Sequence, residues 1–400
     1  MNEVVIAGYL RTPQSRSRPR DPARDVFCRL RGDELLAQLL PQLLKRSGIE
    51  AREIDDFIVG CATAVGEQWA YGGRFPIFQA NLPETIPAKF IDQQCGSAMA
   101  CVQVGFMEIA QGFADIVLTG GYEHMTRIPM GGYTSDRGLI APNLSLFADP
   151  AFQHWDMMTV LNMGLTAEKL FSETDFTKEE MDQWGVRSHQ LAAQARAEGF
   201  FKDEILPIEA VQDDGSVLTV DQDQAVRQDA TLEGMADLKP SFKKDGVITA
   251  GNSSPLNAAA ASMLLMSKET AQKKGIKPLG TIRSIGFAGV DPTIMGAGPV
   301  PASRMALEKA GLEASDIDFW EINEAFCIVA LNCIRELSID PDRVNVMGGA
   351  TAIGHALGAT GIRLTGTLGR ILQQKGGRYG CANACVGGGQ GVATVIEREE

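Results

Sequence analysis

No run of ~18 uninterrupted apolar residues occurs in the 400-residue chain, so the sequence predicts no membrane-spanning helix. Histidine is scarce and scattered (His124, His154, His189, His355), and none of the eight cysteines forms a C-x-x-C pair, which speaks against a metal centre. Positive charge is in deficit: 37 Lys and Arg against 50 Asp and Glu leave a formal net charge of −13. A nucleic-acid surface needs clustered cations, so that class of partner is excluded. The one basic stretch (Arg11, Arg16, Arg18, Arg20, Arg24) is interleaved with Pro13, Pro19 and Pro22. It reads as an exposed loop or arm, with contact to an anionic ligand or another subunit as the lesser alternative. A basic n-region followed by a long apolar segment is absent from the start, and the Arg-Glu-Glu end is not a peroxisomal tripeptide. The expectation is a cytoplasmic location with reduced, mostly structural thiols, Cys101 and Cys333 among them.

What is present is 44% apolar residues in a pattern that alternates strand-like and helix-like segments, as in an α/β layer structure. Strands are expected at 4–10, 56–60, 87–92, 115–121, 280–286, 319–323 and 379–385. A helix apolar nearly all round is expected at 97–110, which implies burial at the molecular centre. From about Tyr122 to Lys244 the character changes to Met- and Gly-rich loops (Met125, Met130, Gly131, Gly132) and polar amphipathic helices such as 178–198. The α/β pattern resumes over 247–254, followed by a small-residue helix at 258–266. A helix is also expected from near Glu324, and a Gly/Ala-rich loop over 345–361 leading into a helix at 362–372.

Three segments carry candidate chemistry: Cys95-Gly-Ser, Gly354-His355 and Cys385-Val-Gly-Gly-Gly. A thiol where a strand turns into a helix meets the unpaired N–H groups and positive dipole end, so the thiol pKa of Cys95 is expected to fall toward neutrality. His355, enclosed by residues too small to pack around an imidazole, reads as a general base. The glycines after Cys385 offer N–H groups for an oxyanion hole. Two thiols and one imidazole suggest carbon–carbon chemistry on an acyl thioester.

With these residues assembled the chain resembles the thiolases, in order through Cys95-Gly-Ser, Gly251-Asn-Ser-Ser254, Asn323-Glu-Ala-Phe326, Gly348-Gly-Ala-Thr-Ala-Ile-Gly-His355 and Cys385-Val-Gly-Gly-Gly389. Further segments, among them Glu123-His-Met125, look most like the degradative 3-ketoacyl-CoA thiolases. The resemblance implies an α/β, five-layered αβαβα core of two similar halves. Residues 1–121 and 249–275 would form the N-terminal half, 122–248 an inserted loop domain for CoA binding and oligomer contacts, and 276–400 the C-terminal half. It implies Cys95 as acyl-carrying nucleophile, His355 as its base, Cys385 as acid/base, and Asn323 as holder of a water. The N–H groups of Cys95 and Gly387 would form an oxyanion hole. Ser254, Met163, Ala325 and Phe326 would line a pantetheine channel, Ala250 would lie in the CoA site, and Arg227 near its adenine end. Coenzyme A enters as a substrate, with no tightly bound cofactor and no metal. Substrates and products would be 3-ketoacyl-CoA, CoA and acetyl-CoA, in a homodimer or homotetramer, with a hydratase/dehydrogenase partner left open. Acetoacetyl-CoA formation from two acetyl-CoA is the alternative within the family, and a non-catalytic acyl-CoA-binding subunit the alternative outside it. The sequence departs from the commonest pattern at Ala356, Met347, Ala258 and Asn162, which bears on substrate range rather than reaction type.

Overall fold

The computed structural model describes residues 1–128 and 143–399. Its frame is a mixed, ten-stranded sheet among the described residues. In chain order the principal strands are β1 (Val4–Arg11), β2 (Asp56–Gly60), β3 (Ala88–Ile91), β4 (Ile116–His124), β5 (Asn257–Ser267), β6 (Gly280–Gly289), β7 (Phe319–Ile322), β8 (Tyr379–Val386) and β9 (Gln390–Glu397). The first half is ordered β3-β2-β4-β5-β1, with β2 parallel to β3 and β4, and β5 antiparallel to β4 and β1. The second is ordered β7-β8-β9-β6, with β7 parallel to β8, and β9 antiparallel to β8 and β6. A parallel bridge between Trp320 and Val344 stands where β3 stands in the first half. The two halves thus share one plan, and pairing of β1 with β6 joins them edge to edge.

The main helices are α1 (Gly32–Ser47), α2 (Ser97–Ala110), α3 (Met163–Ser172), α4 (Lys178–Ala197), α5 (Pro299–Ala310), α6 (Cys327–Leu337) and α7 (Leu357–Lys375). Helices α2 and α7 pack on each other between the two half-sheets, α1 covers the outer face of the first, and α5 with α6 covers that of the second. This is the expected five-layered arrangement. Strand alternation produces it: Val4 and Ile6 of β1 point to the central layer and Val5 and Ala7 to the outer one. In β8, Ala382, Ala384 and Val386 face the centre, whereas Cys381 and Cys385 face outward. Helix α1 buries Leu35, Leu36, Leu39, Leu40, Leu43 and Leu44, each contributing about 2 kcal/mol of transfer free energy.

Five expectations need correction. The alanine-rich segment 258–266 is not a helix but the centre of β5. Alanine favours helix by propensity, yet this strand is buried on both faces, with Ala259 and Ala261 toward the central helices and Ala258 and Ala260 toward α1. Residues 247–254 form no strand and make bridges only at Thr249 and Ser253. Helix α7 begins at Leu357, five residues early, because its glycines pack against backbone rather than terminate the helix, and α6 begins at Cys327 rather than near Glu324. Arg11 is no exposed arm residue: it is buried, 2.7 Å from Glu204 and bidentate to Asp223 at 2.7 and 2.9 Å. Those carboxylates lie about two hundred residues away, where sequence proximity gives no sign of them. After His124 the chain leaves the sheet to form α3, α4 and a hairpin (Ile208–Val211 with Val217–Val220), returning at Asn257. Met130, Gly131 and Gly132 lie outside the described residues.

Candidate active site

The pseudo-equivalent central helices each present one candidate residue at their N-terminal ends. After β3 a tight turn over Gln94–Gly96 places Cys95 just ahead of α2, held by the Gln93 N–H to Ser97 Oγ bond (2.9 Å) and by Ser97 Oγ to the Gln94 carbonyl (2.7 Å). Gly96 packs directly on the Val386 side chain, so the Cys95 turn abuts the end of β8. On the other helix, His355 sits between the short helix Ala350–Ile353 and α7. Gly354 before it has φ +123°, and a Cβ there would fall on the Asn257 amide, whose Oδ1 accepts the His355 N–H at 2.8 Å.

Hydrogen bonding assigns the imidazole tautomer. The Thr360 hydroxyl donates to the Ala356 carbonyl (2.8 Å), so at 2.7 Å from His355 Nδ1 it accepts the Nδ1 proton. Nε2 is then the basic nitrogen, and the Asn323 Nδ2 group lies 3.3 Å from it. Asn323 Oδ1 is buried and has no hydrogen-bond partner, a free acceptor on the residue that touches His355.

Cys95, His355, Met163, Ser254, Ala325 and Phe326 line one cavity of about 350 Å³, together with Met125, Phe242, Met295 and Leu357. A second cavity of about 220 Å³ shares Pro255 with the first and contains Arg16, Arg227, His189 and Ala250. The first is mainly apolar, and the second is lined by the guanidinium groups of Arg16 and Arg227; burial, then the charges of Arg18, Arg227 and Arg24, lower the pKa of Arg16. Arg16 is thus half-buried and lines a cavity rather than standing on an exposed arm. Cys385 is not among the residues that line the first cavity: it is fully buried in the outer core of the second half, near enough to Cys95 to interact with its charge.

Burial dominates the electrostatics. It pushes the Cys95 thiol up to about 12, against hydrogen bonds from the Gly387 N–H and its own N–H, with Glu123 adding to the rise. The expected fall toward neutrality is thus reversed in the free protein. Burial and then the Arg363 charge bring His355 down to about 3. Cys385 is also raised, by burial and then by Cys95. The resting pair is a neutral thiol and a neutral imidazole, with a backbone N–H directed at the thiol sulfur.

The structure brings the proposed residues to one region: six line the first cavity, Asn323 touches His355, Gly387 faces Cys95, and Ala250 and Arg227 line the second cavity. Residues not singled out from sequence are Thr360, Asn257, Met295, Leu357 and Phe242. Thr360 lies five residues beyond His355 in the first turn of α7, so only the start of that helix, which the sequence alone places too late, brings its hydroxyl to the imidazole. Asn257 gave no signal, because β5 delivers it from nearly one hundred residues away. Asn162, a departure from the usual pattern, caps α3 by accepting from the N–H groups of Gly164 and Leu165.

Comparison with known proteins agrees with this geometry. The family "Thiolase, N-terminal domain" matches residues 4–269, and "Thiolase, C-terminal domain" matches 276–398. A 3-ketoacyl-CoA thiolase of Saccharophagus degradans is 40% identical over 99% of this chain and 98% of its own length, and one of Marinobacter nauticus is 39% identical with the same coverage. Among solved structures, human mitochondrial 3-ketoacyl-CoA thiolase in complex with CoA superposes with a TM-score of 0.86 at 32% identity, covering 100% of this chain and 98% of that one. Bacillus anthracis acetyl-CoA acetyltransferase gives 0.87 at 36% identity, covering 100% and 99%. Two matching domains, full-length relatives and a common fold establish that this chain belongs to the thiolase family of acyltransferases.

Proposed function

We propose that the chain cleaves 3-ketoacyl-CoA with CoA to give acetyl-CoA and a shortened acyl-CoA, as a cytoplasmic homo-oligomer in fatty-acid β-oxidation. The observation that carries the chemistry is the convergence of Cys95 and the His355–Asn323 pair on a mainly apolar cavity, with Cys385 buried close enough to Cys95 to feel its charge, and with a second cavity adjoining that contains Arg16 and Arg227. The apolar space suits a pantetheine arm, and the cationic one suits the phosphates of CoA.

Cys95 Sγ gives its proton to His355 Nε2 and attacks the 3-keto carbon. The bond between carbons 2 and 3 breaks, its electron pair passing into the thioester enolate of acetyl-CoA, and Cys385 protonates that carbon. A high thiol pKa keeps Cys385 protonated until then. CoA-SH next gives its proton to the Cys385 thiolate and attacks the acyl group on Cys95. Cys95 leaves and recovers its proton from His355. Asn323, through a bound water, and His355 would stabilise the enolate oxygen, while the Cys95 and Gly387 N–H groups would face the acyl carbonyl.

The test is thiolysis of short, medium and long 3-ketoacyl-CoAs beside exchange of labelled CoA into acetyl-CoA. In Cys385→Ala thiolysis falls ~10²–10⁴-fold while some exchange persists, because exchange forms no carbanion, leaves no Cys385 thiolate to reprotonate, and lets His355 pass the proton between the Cys95 and CoA thiols. Equal losses in a folded protein would refute this division of roles. The similarity to an acetyl-CoA acetyltransferase favours acetoacetyl-CoA formation from two acetyl-CoA as the second reading. Activity confined to acetoacetyl-CoA would select it.

A further inference from the structure

We propose that Glu123 is a positioning residue that sets the separation of Cys95 and His355 by clasping the two halves of the molecule together. This rests on the roles given above to those two residues. Glu123 is fully buried at the end of β4, and one of its oxygens, Oε2, bonds both halves while Oε1 is anchored in the first. Oε2 accepts from the N–H groups of Ala62 (2.9 Å) and Gly358 (3.0 Å). Oε1 accepts from Gln68 Nε2 (2.7 Å) and the Thr63 N–H (3.2 Å).

The two contacts of Oε2 lead to the site. Gly358 is the second residue of α7 and three residues from His355. Ala62 belongs to the small buried cluster around Cys95 with Met125 and Leu357. Its carbonyl also accepts from Gln94 Nε2 at 3.2 Å, next to Cys95 in sequence. The carboxylate therefore links the turn that carries the thiol to the helix that carries the imidazole. Nothing bulky lies between: a Cβ on Gly121 would fall on the Gly358 carbonyl, and one on Gly358 would fall on the Tyr122 carbonyl. Helix α7 thus docks backbone to backbone on β4, and Glu123 joins Asn257 and Gln14, which accept the His355 and Ala356 N–H groups, in fixing its first turn, and is the one of the three that also bonds the segment next to Cys95. Burial raises the carboxyl pKa, and the backbone and Gln68 donors oppose the rise. A misplacement of about 1 Å between reacting groups costs up to ~10²-fold in rate.

The experiment compares Glu123→Gln, Glu123→Asp and Gln68→Ala with the wild-type chain, using acetoacetyl-CoA and CoA for turnover and iodoacetamide for the Cys95 thiol. Glutamine replaces one acceptor oxygen with a donor, aspartate shortens the reach, and Gln68→Ala unloads Oε1 while keeping the Gly358 contact. In folded Glu123 variants kcat falls about 10- to 100-fold and KM for CoA stays within about twofold; in Glu123→Asp, which keeps the charge that helps raise the Cys95 thiol, alkylation slows in parallel. Gln68→Ala shows the same pattern at smaller amplitude, and reads the role even where Glu123→Gln does not fold. Asp33→Asn, which alters a buried carboxylate on the outer helix α1, supplies a comparison of similar destabilisation and keeps its kcat. A folded Glu123→Gln with kcat within about twofold of wild type overturns the proposal, as does a kcat loss matched by Asp33→Asn. If the wild-type chain cleaves no 3-ketoacyl-CoA, the functional reading fails, and the alkylation rates still test the spacing of Cys95 and His355.

Discussion

At the Cys95 sulfur, burial and hydrogen bonding oppose each other, and burial is the larger effect. The helix N-terminus alone would suggest a thiolate, as it did from sequence, but the thiol is buried and Glu123 adds to the rise. A neutral thiol beside a neutral imidazole has a testable signature. Alkylation of the ligand-free protein by iodoacetamide should accelerate steadily as pH rises through neutrality. A preformed thiolate–imidazolium pair would instead give a plateau from about pH 5 to 8. On this view the proton moves only when substrate arrives, and Thr360 fixes in advance which imidazole nitrogen receives it. The tautomer was not legible in the sequence, although Cys95, His355 and Cys385 were, because their glycine neighbours exclude ordinary packing explanations.

The elements that position these residues differ in how openly the sequence declares them. Helix α2 and strand β2 have the bounds expected from the sequence, 97–110 and 56–60, since an all-round apolar helix and a β-branched run between turns leave few alternatives. Strand β5 was misread because both its faces are buried against helices, which removes the period-two alternation that marks a strand. Helix α7 was started late because Gly358 and Gly361 resemble a loop, whereas they are contact points. A Cβ on Gly358 would meet the Tyr122 carbonyl and Cys61 Cα, and one on Gly361 would meet the Met99 backbone. Gly358→Ala should therefore cost about 3 kcal/mol or more in urea unfolding, since backbone cannot swing aside. Gly376→Ala at the other end, where φ is +80° and nothing lies within 4 Å, should cost only about 1 kcal/mol. Similar losses at the two positions would mean that the docking of α7 on β4 is not tight.

For the whole molecule, two halves of one plan meet across a dry centre, and the buried titratable groups make that assembly pH-dependent. His355, down to about 3, and His189, down to about 4, stay neutral in the folded chain, whereas unfolded they protonate near 6.5. Their contribution is intact above about pH 6.5 and is lost as pH falls toward their folded values. Glu321 has the opposite sign. Burial raises it to about 8, so the folded chain holds a proton that the unfolded chain releases near 4.5, and that stability is lost as pH rises through the interval. Urea midpoints should fall from pH 6.5 toward 4.5, less steeply in His189→Gln, and an unchanged slope in that variant would remove His189 from the account. The central claim, that a thiol of the first half carries the acyl group while the second half supplies the base, is tested most directly by trapping. The protein is incubated with an acyl-CoA, quenched in acid, digested, and the peptides are weighed by mass spectrometry. The acyl group is expected as a thioester on Cys95, absent from Cys95→Ala and reduced in His355→Ala; acylation at Cys385 or elsewhere, with Cys95 unmodified, would contradict the account.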